Sequence, residues 1–277
     1  MPAGLGLTPA LIVDVEYPAE RGQAMRALLS STVVVVLTLG NSYSALADEV
    51  TLVAPGGIRA AIEQLIPGFE RQTGHKVKAT FGSGGGTKRQ VVGGEPFDVP
   101  IVQPPLPEVL ASGHVVASSE TPLATVSVGV AVRKGDPRPD ISTPEAVKRM
   151  LVAAKSISYP NAASGAAAGV SFNETLEKLG IAEQMKPKIK RAQGGAGAMA
   201  LLAKGEVDIG LTFISEISNP GVDLVGPLPR EISTPTGLVG FVSTHAKAPE
   251  AARALLSYLS SPEAAAVYKA CGMQPGR

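Results

Sequence analysis

Residues 81–90 read FGSGGGTKRQ, and they stand between a strand-like segment (75–80) and a helix-like segment. Because glycine has no Cβ, its backbone can take positive φ, and successive N–H groups can then face one anion at the positive end of a helix dipole. Ser83 and Thr87 add hydroxyl groups, and Lys88 adds a positive charge. The stretch therefore predicts an anion site where a strand passes into a helix, with a flexible glycine-rich linker as the alternative.

Nucleotide-binding motifs fit this stretch poorly. A P-loop places its lysine directly after the last glycine and a hydroxyl after the lysine, whereas here Thr87 precedes Lys88. The dinucleotide motif GxGxxG fails as well, because Thr87 stands where the third glycine is required. Nucleotide binding is therefore not predicted.

The N-terminal region has the pattern of a secretory signal. Residues 25–47 combine a short basic start, an apolar segment over 27–39 and the small-residue sequence Ala45-Leu46-Ala47, which together predict a cleaved signal peptide. Residues 1–24 are then an upstream, non-native extension, with translation starting at Met25. The residue directly after the predicted cleavage site is Asp48 and not cysteine, so we expect a periplasmic protein without a lipid anchor.

Composition excludes several classes of partner. The 277 residues include 25 Lys plus Arg and 24 Asp plus Glu, so the net charge does not favour nucleic acid. Tryptophan is absent and aromatic residues are 4% of the chain, which argues against stacking platforms for bases. Cys271 is the only cysteine, and no Cys/His cluster is recognisable, so we predict neither a metal site nor a cofactor.

The rest of the chain alternates strand-like and helix-like segments, which predicts an α/β protein with two halves. Small-residue turns follow several strands, at 55–57, 82–87, 164–169 and 194–197. In open α/β sheets, ligands bind beyond the carboxyl ends of strands. Turns from two facing lobes would therefore meet at one cleft for a small anionic or polar ligand. The apolar run 126–132 is predicted to be one buried strand, paired with residues 238–243.

Several short motifs resemble the type II periplasmic solute-binding proteins of ABC transporters, specifically the molybdate-binding branch. They are FERQTG at 69–74, FGS at 81–83, GEPFDV at 94–99, EKLG at 177–180, GEVDIG at 205–210 and SPEAA at 261–265. The resemblance implies two lobes, each a mixed, mostly parallel sheet flanked by helices, with the ligand cleft between them. Lobe 1 is expected to comprise 48–125 and 237–277, and lobe 2 to comprise 126–236. Hinges are expected near 121–127 and 233–238.

Site residues follow from the same resemblance. The first serine that molybdate-binding relatives use falls at Gly57, the second is kept as Ser83, and their tyrosine falls at Phe213, so two hydroxyl donors are absent. A hydrogen bond to a charged group contributes about 1.5–3 kcal/mol. Because two donors are absent, we expect weaker binding of molybdate than in those relatives, which favours a different anion. The ligand-binding candidates are Gly56, Gly57, Ser83, Gly84, Thr87, Ser164, Ala168, Gly195, Ala196, Thr212 and Phe213, with Arg59 and Lys88 as cationic clamps.

The resemblance implies a function and leaves one alternative. The expected function is capture of a small anion, a molybdate-like oxyanion or an organic carboxylate, and its delivery by a monomer to the membrane component of an ABC transporter. The alternative is an enzyme of the same ancestry that resembles aconitate isomerase, working in the same cleft. No catalytic residue is assigned, because the three histidines are expected to lie at the surface.

Overall fold

The computed structural model describes residues 47–276. The predicted upstream extension and nearly all of the predicted signal peptide lie outside this range. Within it, no helix is long and apolar enough to cross a membrane.

Strands and helices alternate through most of this range. The strands are β1 (Glu49–Pro55), β2 (Lys76–Gly82), β3 (Val99–Val102), β4 (Thr121–Val126), β5 (Val128–Arg133), β6 (Ile157–Pro160), β7 (Ile189–Ala192), β8 (Ile209–Phe213), β9 (Val222–Pro227), β10 (Thr236–Gly240) and β11 (Gln274–Pro275). The α-helices are α1 (Arg59–Thr73), α2 (Gly84–Val92), α3 (Pro107–Ala111), α4 (Pro144–Ala153), α5 (Ala167–Lys178), α6 (Ala182–Met185), α7 (Gly194–Ala203), α8 (Pro249–Leu259) and α9 (Pro262–Ala270). Short 3₁₀ turns occupy Gly56–Ile58, Ala117–Ser119, Ala162–Ser164, Lys186–Lys188 and Ile214–Glu216.

Two mixed sheets organise these elements, as the resemblance implies. The first has the strand order β11-β4-β10-β3-β1-β2, and the second has the order β7-β6-β8-β5-β9. Both sheets are mixed, as expected, but parallel pairs are not the majority in either sheet. Only β1 with β2 and β3, and β6 with β7 and β8, pair in parallel within the described range. The strands that carry the chain between sheets, β4, β5, β9 and β10, return antiparallel to their neighbours.

The apolar run 126–132 is divided rather than continuous. β4 ends at Val126 in the first sheet, and β5 begins at Val128 in the second, so the chain changes sheets at Ser127. Its predicted partner pairs with the first part only, since Thr236 of β10 lies opposite Val126 of β4. The apolar pattern of the sequence does not reveal where β4 ends and β5 begins, because residues on both sides of Ser127 are buried, each in its own sheet.

The sequence of helix α1 explains why this helix packs on the first sheet. Ala61, Ile62, Leu65 and Phe69 recur at helical spacing and are almost fully buried against the sheet. Gly74 ends the helix at φ 79°, a left-handed conformation that glycine adopts without steric cost. The chain then enters β2, which runs parallel to β1 in the crossover that parallel strands require.

A buried carboxylate connects three distant segments of the first sheet. Asp98, 1% exposed at the start of β3, accepts hydrogen bonds from the amide and hydroxyl of Thr51 in β1, at 2.7 and 2.6 Å. Its other oxygen accepts from the amides of Lys247 and Ala248, at 2.6 and 3.2 Å, just before α8. These bonds attach the C-terminal helices to the strands that end at the cleft.

Candidate ligand-binding cleft

A cavity of about 750 Å³ lies between the two sheets. Residues from both sheets line it. From the first sheet come Pro55, Gly56, Gly57, Arg59, Ala60, Glu63, Phe81, Gly82, Ser83, Gly84 and Gln103; from the second come Pro160, Ser164, Ala166, Ala167, Ala168, Gln193, Gly194, Gly195, Ala196, Phe213, Ser215, Glu216 and Ser218. The structure thus brings the four small-residue turns together, each beyond the carboxyl end of a parallel strand.

The glycine-rich stretch forms the start of α2 rather than a loop before it. Ser83 is the N-cap, and its Oγ accepts a hydrogen bond from the Gly86 amide at 3.0 Å. The expected positive φ is absent from Gly82, Gly84, Gly85 and Gly86. Close packing explains two of these glycines instead. A Cβ at Gly84 would overlap the Gln103 side chain, and a Cβ at Gly85 would lie 3.2 Å from the backbone of Gly165.

Two hydrogen bonds to backbone carbonyl groups connect the lobes across the cleft. The Gly85 amide donates to the carbonyl of Gly165 at 3.0 Å, and the Ser215 hydroxyl donates to the carbonyl of Gly57 at 2.6 Å. Because the amides of Gly85 and Gly86 have partners within the protein, the Gly84 amide and the Ser83 hydroxyl proton are the groups left at this helix start for a ligand.

Gly57 and Phe213, the two positions at which the resemblance implies an absent hydroxyl, lie close to each other in the cleft. A Cβ at Gly57 would lie 2.9 Å from the ring of Phe213. The ring therefore occupies the space that a serine side chain would need at position 57. Neither position supplies a side-chain hydroxyl to this corner of the cleft.

Not every predicted residue lines the cavity. Thr87 is fully buried, and its hydroxyl has no hydrogen-bond partner among the described residues. Lys88 donates to the carbonyl of Pro105 at 2.8 Å, and burial lowers the pKa of its ammonium group. Thr212 is buried and donates its hydroxyl proton to the Glu216 carboxyl. Lys88 is thus already engaged, because α2 turns its side chain toward the loop after β3.

Arg59 is the predicted clamp that does line the cavity. Its guanidinium lies 4.6 Å from the centre of the Phe81 ring and 3.7 Å from a carboxylate oxygen of Glu63. The side chain is 53% exposed. It therefore stands at the edge of the cavity, stacked on an aromatic side chain that holds its direction.

Sequence reasoning missed two polar residues in the cleft. Glu216 ends the 3₁₀ turn after β8 and lines the cavity. Burial raises the pKa of its carboxyl group, and the hydrogen bond from Thr212 offsets part of that rise. Gln103 follows β3 and is 4% exposed, and its side-chain Nε2 has no hydrogen-bond partner within the described range. Neither residue belongs to a local motif that could have revealed it.

The protein has two mixed β-sheets flanked by helices, and the chain passes between them twice. A cleft lined by residues of both halves separates the sheets. This arrangement defines a two-lobed ligand-binding protein. Residues 50–274 match the family model described as bacterial extracellular solute-binding protein. The chain belongs to this family.

Individual relatives bind or convert small anions. The chain is 32% identical to aconitate isomerase of Pseudomonas sp. over 233 residues, covering 81% of this chain and 87% of that protein. It is 31% identical to the molybdate-binding protein ModA of Azotobacter vinelandii over 249 residues, covering 87% of this chain and 96% of that protein. The solved periplasmic molybdate-binding protein of A. vinelandii superposes with a TM-score of 0.68 at 23% identity, covering 81% and 98% of the two chains.

Proposed function

We propose that this protein is a periplasmic, monomeric solute-binding protein that captures a small anion and delivers it to the membrane component of an ABC transporter. The observation that carries the proposal is the meeting of turns from both sheets at one cavity, with the starts of α2 and α7 among them. Helix starts present free N–H groups and the positive end of the helix dipole, which together favour anions. The names of the relatives point to the same class of ligand.

Capture follows from closure of the lobes around the ligand. We assign 48–125 and 237–277 to lobe 1 and 126–236 to lobe 2, since the chain changes sheets at Ser127 and again between β9 and β10. Rotation about these two connections would open and close the cavity. In the closed state the amides, Ser83 and Arg59 replace the ligand's hydration shell, and the two cross-cleft hydrogen bonds hold the lobes together.

A ligand screen tests the proposal. The purified protein, from Asp48 onward, is heated with molybdate, sulfate, phosphate, succinate, malate, citrate or aconitate, and the melting temperature is followed for each. A ligand present at 100 times its Kd adds about 2.7 kcal/mol of stability, so a true ligand gives a shift of several degrees. If no anion changes the melting temperature or gives heat in a calorimeter, the proposal is wrong.

One observation favours a second function, isomerisation of a tricarboxylate. Glu216 is a carboxyl group in the cleft with a raised pKa, which suits a group that takes and returns a proton. It would remove an allylic proton, and after the double bond shifts the proton would return to the other end of the allylic system. Proton NMR of aconitate in D₂O tests this. Isomerisation with deuterium uptake supports the enzyme, whereas binding without exchange leaves transport as the function.

Ser83 offers a direct test of where the anion binds. Ser83→Ala removes the N-cap and the ligand donor, so the melting temperature should fall by the equivalent of about 1 kcal/mol and anion affinity by about tenfold. Ser83→Asp keeps a good cap but places a negative charge in the cleft. Its melting temperature without ligand should match that of the wild type, while the stabilisation by anions should vanish. An undiminished anion shift in Ser83→Asp would place the ligand away from α2.

A further inference from the structure

We propose that Glu216 selects anionic ligands that carry a hydrogen-bond donor, such as hydroxy-carboxylates, and rejects tetrahedral oxyanions that carry none. The inference rests on the proposed function, because it names the class of anion that the same cleft would take.

The position of Glu216 is the first support. Its Oε1 lies 3.3 Å from the place of a Cβ on Gly56, and its Oε2 lies 2.5 Å from the place of a Cβ on Gly195. Gly56 precedes α1 in the first lobe, and Gly195 belongs to the first turn of α7 in the second. The carboxyl group therefore stands between strand-end turns of opposite lobes, where a ligand enclosed by both would contact it.

The hydrogen bonding of Glu216 sets what that ligand must offer. Thr212 donates to Oε2, and the backbone amide of Phe213 also interacts with the carboxyl group. No side chain in the described range donates to Oε1. In its ionised form the Glu216 carboxylate can only accept hydrogen bonds. Because burial raises the pKa of this group, the preference belongs to alkaline pH, and protonation at lower pH would turn the group into a donor and remove the preference. A ligand hydroxyl or acid proton can meet Oε1, whereas an oxygen without a proton faces it with lone pairs and like charge. The Glu216 carboxylate can therefore discriminate against an oxyanion without a donor by repulsion alone, without any added attraction for the preferred ligand.

Gln103 independently indicates a ligand oxygen in the same cavity. Its Nε2 group lies in a side chain that is 4% exposed and has no partner among residues 47–276. A buried amide donor without a partner costs stability, and an acceptor oxygen of a bound anion would satisfy it. The cleft thus offers donors at Gln103, Ser83 and Gly84 and an acceptor at Glu216, a combination that matches a ligand bearing both carboxylate and hydroxyl groups.

The size of the cavity agrees with an organic ligand. Its volume of about 750 Å³ falls among those of pockets for organic molecules, roughly 300–1,000 Å³. A five-atom oxyanion would leave much of this space to water.

Calorimetric titration with matched ligand pairs tests the proposal at pH 8. The pairs are malate with succinate and citrate with propane-1,2,3-tricarboxylate, which differ by one hydroxyl, and sulfate is titrated alone. In the wild-type protein the hydroxylated member should bind about 10- to 100-fold more tightly, and sulfate should bind weakest. Glu216→Gln should reduce the preference at least tenfold and tighten the binding of sulfate.

Glu177→Gln is the matched control. Glu177 is exposed near the end of α5 and does not line the cavity, and its substitution changes the net charge by the same amount. This variant should keep the wild-type preference within about threefold, because its charge lies in solvent and is screened from the cleft.

The outcomes separate the two proposals. Tight binding of anions without preference for hydroxylated members, or equal behaviour of Glu216→Gln and Glu177→Gln, overturns the role of Glu216 and leaves anion capture standing. If no anion in the series binds to the folded wild-type protein, anion capture fails, and the inference fails with it. The preference for hydroxylated ligands is measured on the wild-type protein alone. The proposal can therefore be contradicted even if Glu216→Gln folds poorly.

Discussion

Asp98→Asn is expected to lower the free energy of unfolding by about 4 kcal/mol, because the variant amide cannot accept all four hydrogen bonds that the carboxylate receives. One side-chain oxygen becomes an NH₂ group and faces N–H donors of Thr51 or of Lys247 and Ala248. With the residue 1% exposed, water does not replace the lost partners. For a domain of this size the melting temperature should fall by about 10 °C.

The same substitution should change how stability depends on pH. Burial raises the pKa of Asp98, but the hydrogen bonds from Thr51, Ala248 and Lys247 outweigh burial and hold the pKa below its ordinary value. A carboxyl group with a lowered folded pKa stabilises the protein above its unfolded pKa, about 3.9, and this contribution is lost as pH falls through the folded pKa. The gap between wild type and Asp98→Asn should therefore be constant above about pH 5 and narrow below about pH 4.

Asp140→Asn is the control for this prediction. Asp140 is exposed, accepts hydrogen bonds from the amide and hydroxyl of Ser142, and forms a solvent-exposed ion pair with Arg149 at 3.9 Å, which contributes little to stability. Its substitution changes the charge equally, and it should leave the melting temperature nearly unchanged at pH 7. Denaturation by urea from pH 3 to 7 compares the three proteins. Equal stabilities of Asp98→Asn and Asp140→Asn would show that the connection from β1 to α8 contributes little.

Local pattern in the sequence was enough to find most of the fold. The spacing of Ala61, Ile62, Leu65 and Phe69 predicts α1, and the apolar segments predict the buried strands, because burial on one face leaves a period in the chain. The break at Ser127 could not be found this way. Both sides of the break are apolar, and only the pairing of β4 with β10 decides which sheet each side joins.

The cleft was only partly predictable for a related reason. Gly57 and Phe213 are far apart in the sequence, so the sequence does not reveal that their positions are in contact. Glu216 has no sequence signal, because a carboxylate in a predicted anion site runs against simple charge matching. Only the fold places the turn after β8 beside the turns before α1 and α7. A residue that opposes the expected ligand charge is informative about which anion the site accepts.

Gly195→Ala is expected to weaken the binding of citrate, or of whichever tested anion binds most tightly, by at least about 100-fold. A Cβ there would lie 2.5 Å from both Thr212 Oγ1 and Glu216 Oε2. Thr212 is fully buried, so it has little room to move, and the new methyl group must displace the Glu216 carboxyl into the cavity. Overpacking of this kind costs about 1–3 kcal/mol of stability.

Gly197→Ala, two residues further along α7, separates the cleft effect from the effect of alanine on the helix. The nearest atom to its Cβ would be that of Ala192 at 3.5 Å, an ordinary contact, so this variant should bind anions as the wild type does. It should also be about 0.5–1 kcal/mol more stable, because alanine favours the helix over glycine. Calorimetric titration and thermal melting of the two variants decide the matter. If Gly195→Ala and Gly197→Ala bind the anion equally well, the first turn of α7 does not contact the ligand, and the second lobe must hold it elsewhere.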